Sequence, residues 1–341
     1  MAIIERELAL LLHITGDIYN TPYITLPDIG NSNISKLVSL AVDNGMGYYT
    51  VKILVSEHKD KVGELNLSML QEIVNNGDKR YAHIEETIQA LNSCINDYLL
   101  IKTYRNHVRI ANDLDVLVHD LNKAIEILDN AGFKYAEHDA KEQKAIFYYQ
   151  GNTKIHLHGN ISWGKGGTVF IDKDLIWAEP KNALIGRTSI KVPNVNADFL
   201  IHLAHINYEN LQISMSEYLY IFELAEKVDW GTVFTQASKH KWVNTLKRTL
   251  TILDTIHHTL YSTSCPFNLK YLKHQRFNDR KILSFPFSLS RKKIILAWLE
   301  KGLAIWVLCH RIIKMIHILF PGNTQRGFKP SELEQIIEPK H

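Results

Sequence analysis

The stretch from Tyr98 to Val118 reads YLLIKTYRNHVRIANDLDVLV, and it constrains the chain more than any other segment. One apolar run ends in Lys102-Thr103. A polar turn carrying Arg105 and Arg109 follows, and Asp113-Leu114-Asp115 then opens a second apolar run, Val116-Leu117-Val118. Two short buried strands joined in this way concentrate their charges at one end. In a strand, residues i and i+2 point to the same face, so Asp113 and Asp115 present two carboxylates side by side. Such a pair repels itself unless a cation or a proton relieves it. A hard cation that keeps its waters and accepts phosphate oxygens, Mg²⁺, suits one or two carboxylates.

The surrounding pattern predicts an α+β chain with helices on either side of a mixed sheet. Helices are expected over Ile3–Leu12, from an Asn33 cap through Leu37, Val38, Leu40 and Ala41 to Asn44-Gly45, and over Glu64–Val74 and Tyr81–Cys94. Strands are expected at Tyr98–Thr103, Asp115–Val118, Phe133–Glu137, Ala145–Gln150 and Thr153–Leu157. A helix at Leu121–Asn130 ends near Gly132, and Gly151-Asn152 forms a hairpin turn. Further helices are read at Ala197–Tyr208, Ser214–Lys227, Trp230–His240, Trp242–Thr259 and Lys292–Phe320, with Asp229 capping the third of these. The expected divisions are 1–80, an N-terminal helical region; 81–192, an α/β core; and 193–341, a C-terminal helical region.

With 341 residues, 45% of them apolar and 22% charged, the chain is long enough for a large core. A net charge of +3 does not in itself argue for nucleic acid. Cys94, Cys265 and Cys309 make neither a disulfide framework nor a zinc spacing, which fits a reducing, cytoplasmic setting. The opening MAIIERELALLLHITG lacks the basic flank and long apolar core of a signal peptide. The most apolar run, Ile294–Phe320, is broken by Glu300, Lys301, His310, Arg311 and Lys314. It predicts a buried or interfacial helix pair, a candidate homodimer surface, and not a membrane span.

Several other residues carry chemistry alongside a blander reading. His156 and His158, in IHLHG, share one strand face and resemble half of a zinc site, but no third ligand has convincing sequence spacing. Trp163-Gly164-Lys165-Gly166-Gly167 lacks the ending of a phosphate loop and reads as a connection. His202 and His205 lie on one helix face with Tyr208, where packing is the default and contact with a base the alternative. Basic residues over 239–248 and 270–293, interleaved with aromatics, suit RNA but are ordinarily solvated surface. Nucleic acid is therefore not the favoured partner.

Taken together, LLIK, an Arg four residues before DLDVLV, a ten-residue helix, a Gly-Phe and a later strand ending in Leu-His resemble a known pattern. It is that of the poorly characterised nucleotidyltransferases of the DNA polymerase β superfamily, and the likeness extends over roughly residues 85–240. That family has Lys-Gly ending its first strand, Arg-x-x-x-Asp-x-Asp-x-Leu-Val opening its second, and an Asp-Leu-His strand further on. Asp229-Trp230 also resembles an Asp-Trp near the head of a late helix.

The resemblance implies transfer of a nucleoside monophosphate from a nucleoside triphosphate, such as ATP, to a hydroxyl acceptor. Asp113 and Asp115 would hold Mg²⁺ or Mn²⁺, Lys102, Thr103 and Arg109 would bind the nucleotide, and Asp113, Asp115 and His156 would be catalytic. The acceptor, whether protein, RNA or a small molecule, is not readable from the sequence. Two departures stand out: Thr103 replaces the family's Gly, and His156 takes the third acidic position. Glu142, Asp172 and Asp174 are the other carboxylates to weigh. The alternatives are a module that binds nucleotide without turnover, for sensing or scaffolding, and a helical interaction protein.

Overall fold

Local sequence accounts for many of the element boundaries. The computed structural model describes residues 6–16, 29, 33–105, 110–111, 113–139, 143–150, 153–163, 168–263, 265–267 and 284–302. The N-terminal helices are α1 (Arg6–Gly16), α2 (Ile34–Asp43), α3 (Gly47–Glu57), α4 (Lys59–Val62) and α5 (Glu64–Cys94). Asn33 caps α2, its side chain accepting from the Lys36 amide at 3.0 Å, while Ile34, Leu37, Val38 and Ala41 turn inward. The chain leaves that helix through Gly45 at φ +69°, a conformation that suits glycine.

Strands β1 (Tyr98–Ile101), β2 (Asp113–Val118), β3 (Lys134–Asp139), β4 (Lys144–Tyr149) and β5 (Thr153–His158) form a mixed sheet in the order β1-β2-β5-β4-β3. Helix α6 (Leu121–Asn130) lies between β2 and β3 in sequence, capped by Asp120. β2 and β5 are parallel, with Asp115 beside His156; the other neighbours are antiparallel.

This register sorts the side chains by parity. Tyr98 and Leu100, Leu114, Val116 and Val118, Ile155 and Leu157, and Ala145 and Phe147 share one face. They pack with Ile84, Ile88 and Leu91 of α5, with Ile95 just after it, and with Ala124 and Leu128 of α6. The opposite face carries Asp113 and Asp115, Lys154, His156 and His158, and Lys144. The sheet is thus an apolar wall on one side and a charged platform on the other.

Short elements follow: β6 (Ser162–Trp163), β7 (Thr168–Val169), α7 (Lys173–Trp177) and the hairpin β8 (Lys181–Ile185) and β9 (Thr188–Val192). The C-terminal helices are α8 (Val195–His205), α9 (Met215–Ala225), α10 (Trp230–Lys239), α11 (Val243–Tyr261) and α12 (Arg291–Glu300). The two-residue strands β10 (Gln212–Ile213) and β11 (Phe287–Ser288) pair with each other. Among the described residues no helix is long and apolar enough to cross a membrane.

The structure departs from the sequence reading in several places. α3 and the β8–β9 hairpin were not anticipated. The two helices read at Glu64–Val74 and Tyr81–Cys94 are one, because Asn75-Asn76-Gly77-Asp78 does not break α5. Gly77 is held against the Tyr48 ring of α3, so closely that an added Cβ would collide with the ring carbons. The helix read to Tyr208 changes winding after His205. The Gly151-Asn152 turn, the Gly-rich residues 164–167, Cys309 and most of the apolar run lie outside the described residues. Within that run, α12 leaves Ile295, Leu296 and Leu299 exposed.

α9 opens with a capping box in which the Ser214 hydroxyl accepts from the Glu217 amide and the Glu217 carboxylate accepts from the Ser214 amide at 3.0 Å. Burial alone would raise the Glu217 carboxyl. His205 and the Ser214 amide outweigh it and hold the pKa at about 2 instead of 4.5. A depressed carboxylate stabilises the fold above its unfolded value, and that contribution disappears as pH falls from 4.5 through about 2. Its full size is roughly 3 kcal/mol. Urea denaturation of wild type and Glu217→Gln is expected to show a markedly shallower loss of stability in the variant between neutral pH and pH about 3. Equal slopes would remove Glu217 from the account.

Candidate functional site

The charged platform converges on Asp115. Its carboxylate is buried, whereas the side chain of Asp113, at the mouth of the strand, is 37% exposed. Lys102 Nζ lies 3.2 Å from Asp115 Oδ1. His158 Nε2 lies 2.8 Å from the same oxygen, and His156 Nδ1 lies 3.7 Å from it and 3.2 Å from Asp113 Oδ2. Burial would raise the Asp115 carboxyl, but Lys102 and the two imidazoles overcome this and hold it well below the carboxylate range. Burial pushes His158 down despite its contact with Asp115, so a neutral imidazole faces an ionised carboxylate.

The turn after β1 delivers Lys102. Its backbone is left-handed, at φ +55°, immediately after the strand ends at Ile101. In the resembling family glycine follows this lysine, at the position that Thr103 takes here. Here the left-handed residue is Lys102 itself. Thr103 is buried, and its hydroxyl accepts from the Asp115 amide at 3.1 Å, which ties the end of β1 to the middle of β2. That hydroxyl keeps its own proton to donate. Arg105 fixes the turn from below. Its guanidinium donates to the carbonyls of Lys102 and Tyr104 at 2.9 and 2.8 Å and to His202 at 3.0 Å, and lies 4.8 Å from the centre of the Tyr220 ring. Burial and the adjacent Arg105 push His202 to about 4, so it stays neutral as the guanidinium's acceptor.

Glu209, which the sequence reading missed, reaches the platform from the C-terminal helices. After His205 the helix widens into a π-turn, Ile206–Asn210. Glu209 Oε2 lies 3.2 Å from Lys102 Nζ and 3.3 Å from His205 Nε2. Burial would raise the Glu209 carboxyl, but Lys102 and His205 bring it to about 2. The wider turn is held by Asn207, which donates to the Leu203 carbonyl at 2.7 Å and accepts from the Thr249 hydroxyl of α11 at 2.8 Å. One lysine therefore sits between two carboxylates from distant parts of the chain. Burial opposes its charge, yet those carboxylates raise its pKa.

Asp113, Asp115, Lys102, Thr103 and His156 thus come together, with His158 making the shortest contact to Asp115. Arg109 and Glu142 lie outside the described residues. Asp172 is engaged elsewhere, by Lys239 at 2.6 Å, Gln236 at 2.9 Å and His240 at 3.0 Å. His205 bridges Glu209 and Glu217, and His202 serves the Arg105 turn. Among the described residues, Asp115, His156 and His158 form a group able to hold a metal ion, their ligand atoms all within 4.8 Å of one another. Buried His156 Nε2 has no hydrogen-bond partner among them. The donors fit a divalent cation, offering carboxylate oxygen together with imidazole nitrogen.

Residues 102–258, just under half of the chain, match the model of a family described as uncharacterised nucleotidyltransferase. The match begins at Lys102 and takes in every residue of the platform described above. It bears out the resemblance to a poorly characterised nucleotidyltransferase family and supports assignment of this segment to a transferase class that typically uses a nucleoside triphosphate and a divalent metal. No curated protein matches the chain.

Removing one member of a buried ion pair strands the other, at about 3–5 kcal/mol. Lys102→Met is expected to destabilise the protein by roughly that much, and adding Glu209→Gln to recover part of it. A double-mutant cycle by urea denaturation reads the coupling; strictly additive effects would show that the two residues share no interaction.

Proposed function

We propose that the platform catalyses transfer of a nucleoside monophosphate from a nucleoside triphosphate to a hydroxyl acceptor, with release of pyrophosphate. One observation carries this reading. In a segment that matches a nucleotidyltransferase family, two carboxylates at i and i+2 on β2 stand beside a buried lysine at the end of β1.

Asp113 and Asp115 would hold the metal, Mg²⁺ or Mn²⁺. When bound, it would offset charge on the phosphates and polarise the attacked phosphorus. Lys102 supplies a permanent positive charge at the strand end, and Thr103 a hydroxyl proton, toward triphosphate oxygens. Arg109 has the same assignment from sequence. Lys144 and Lys154, on the same sheet face, add positive charge along the path a triphosphate would take. His156, next to the exposed Asp113, is the candidate base for the acceptor hydroxyl, imidazole being a common general base. Positioning and electrostatics dominate phosphoryl chemistry of this type, so an imidazole in the third acidic position is compatible with turnover. The acceptor would enter between the platform and the C-terminal helices.

The test is calorimetric titration of ATP, GTP, CTP and UTP with Mg²⁺ or Mn²⁺, followed by a pyrophosphate-release assay with candidate protein, RNA and small-molecule acceptors. Metal-dependent binding is expected in wild type and is expected to vanish in Asp113→Ala/Asp115→Ala, with the folded circular-dichroism spectrum retained. Absence of binding to every nucleotide by folded wild type would overturn the reading. Binding without pyrophosphate release would replace catalysis by nucleotide sensing.

A further inference from the structure

The two histidines of IHLHG make half of a metal site, and the fold supplies the other half. Parallel pairing of β2 with β5 sets Asp115 beside His156, and the period of two brings Asp113 and His158 onto the same face. We propose that Asp115, His156 and His158, with Asp113 as a fourth donor, form a resident site for a divalent later transition ion such as Co²⁺ or Zn²⁺, filled without nucleotide. This rests on the same platform as the proposed nucleotidyl transfer and specifies its metal chemistry, with His156 serving as a metal ligand in place of the base role given it above.

The donor separations suit such an ion. Ligands at about 2.0–2.1 Å around a tetrahedral centre stand about 3.3 Å apart. The observed separations bracket that distance: 2.8 Å for His158 Nε2 to Asp115 Oδ1, 3.2 Å for His156 Nδ1 to Asp113 Oδ2, and 3.7 Å for His156 Nδ1 to Asp115 Oδ1. The ligand atoms of Asp115, His156 and His158 all lie within 4.8 Å of one another, so side-chain adjustment on the paired strands is needed to close the set.

Donor chemistry selects the class of ion. Mg²⁺ takes oxygen and keeps several waters, whereas imidazole suits the later first-row metals and zinc. Two imidazoles and a buried carboxylate therefore favour a transition ion over Mg²⁺. Lys102 sits between Asp115 and Glu209, and Lys144 and Lys154 share the sheet face, so the carboxylates of Asp113, Asp115 and Glu209 are only partly offset where the ion would bind. His156 Nδ1, the ring atom nearest both carboxylates, is the donor in this set, while its Nε2 is buried without a hydrogen-bond partner among the described residues.

The chain has 17 histidines, so binding alone does not locate the site. Metal-stripped full-length protein is titrated with Zn²⁺, Mn²⁺, Co²⁺ and Mg²⁺, without nucleotide, by calorimetry and by visible absorption of Co²⁺. The expected result is saturable transition-ion binding, with Mg²⁺ at least about tenfold weaker. His156→Asn and His158→Asn are each expected to weaken the transition ion at least about tenfold, and His156→Asp to shift preference toward Mg²⁺. Histidine-ring NMR on wild type supplies a readout independent of variant folding: Zn²⁺ should move the nitrogen resonances of both rings.

Transition-ion binding that persists unchanged in both Asn variants, equal affinity for Mg²⁺, or unmoved ring resonances would each overturn the proposal. Metal binding of the expected kind with no nucleotide binding would uphold this site while removing the transferase reading. Nucleotide binding with Mg²⁺ alone and no transition-ion binding would do the reverse.

Discussion

A carboxylate in the interior of a sheet face is costly unless its charge is answered, and the organisation of this protein around Asp115 reflects that cost. Lys102 answers it at 3.2 Å and His158 at 2.8 Å. Each answering group makes its own demand. The lysine needs a left-handed residue at the end of β1, a guanidinium beneath the turn, and a second carboxylate from the C-terminal helices. The buried ammonium links the sheet to the helical region beyond it, beside the Arg105–His202 contact. Electrostatic compensation here also fixes the relative placement of segments more than a hundred residues apart in sequence.

Much of this was legible before any coordinates, and for identifiable reasons. Caps are local chemistry, so Asn33 and Asp229 marked helix starts that the structure reproduces. Strand parity is also local, and it placed Asp113 with Asp115 and His156 with His158 on shared faces. The relation between the two pairs is not local. The Asp115–His156 register depends on which strands become neighbours, so the missing third ligand for the histidines could not be found by spacing along the chain.

α5 escaped for a similar reason. The Asn-Asn-Gly-Asp sequence weakens a helix locally, but close packing of Gly77 on Tyr48 lets it continue. Glu209 escaped altogether. It looks like a solvent-facing residue late in a helix, and only the change of winding after His205 turns it toward Lys102. Thr103 looked like a departure from a phosphate-approaching glycine. In the fold it is a strand tie, and the residue before it bears the unusual backbone.

The π-turn at Ile206–Asn210 has a consequence for how such a site can change over generations. Each residue advances an α-helix by about 100°, so a single insertion re-aims the downstream side chains without disturbing the face already packed upstream. Here the upstream face keeps His202 against Arg105 while the widened turn points Glu209 at Lys102. Asn207 and Thr249 absorb the irregularity. A carboxylate carried on such a bulge can be gained or lost by one codon inserted or deleted, with the surrounding helices left in place. The platform's strand residues have no comparable freedom, because a one-residue slip in β2 or β5 would send every charged side chain into the apolar wall.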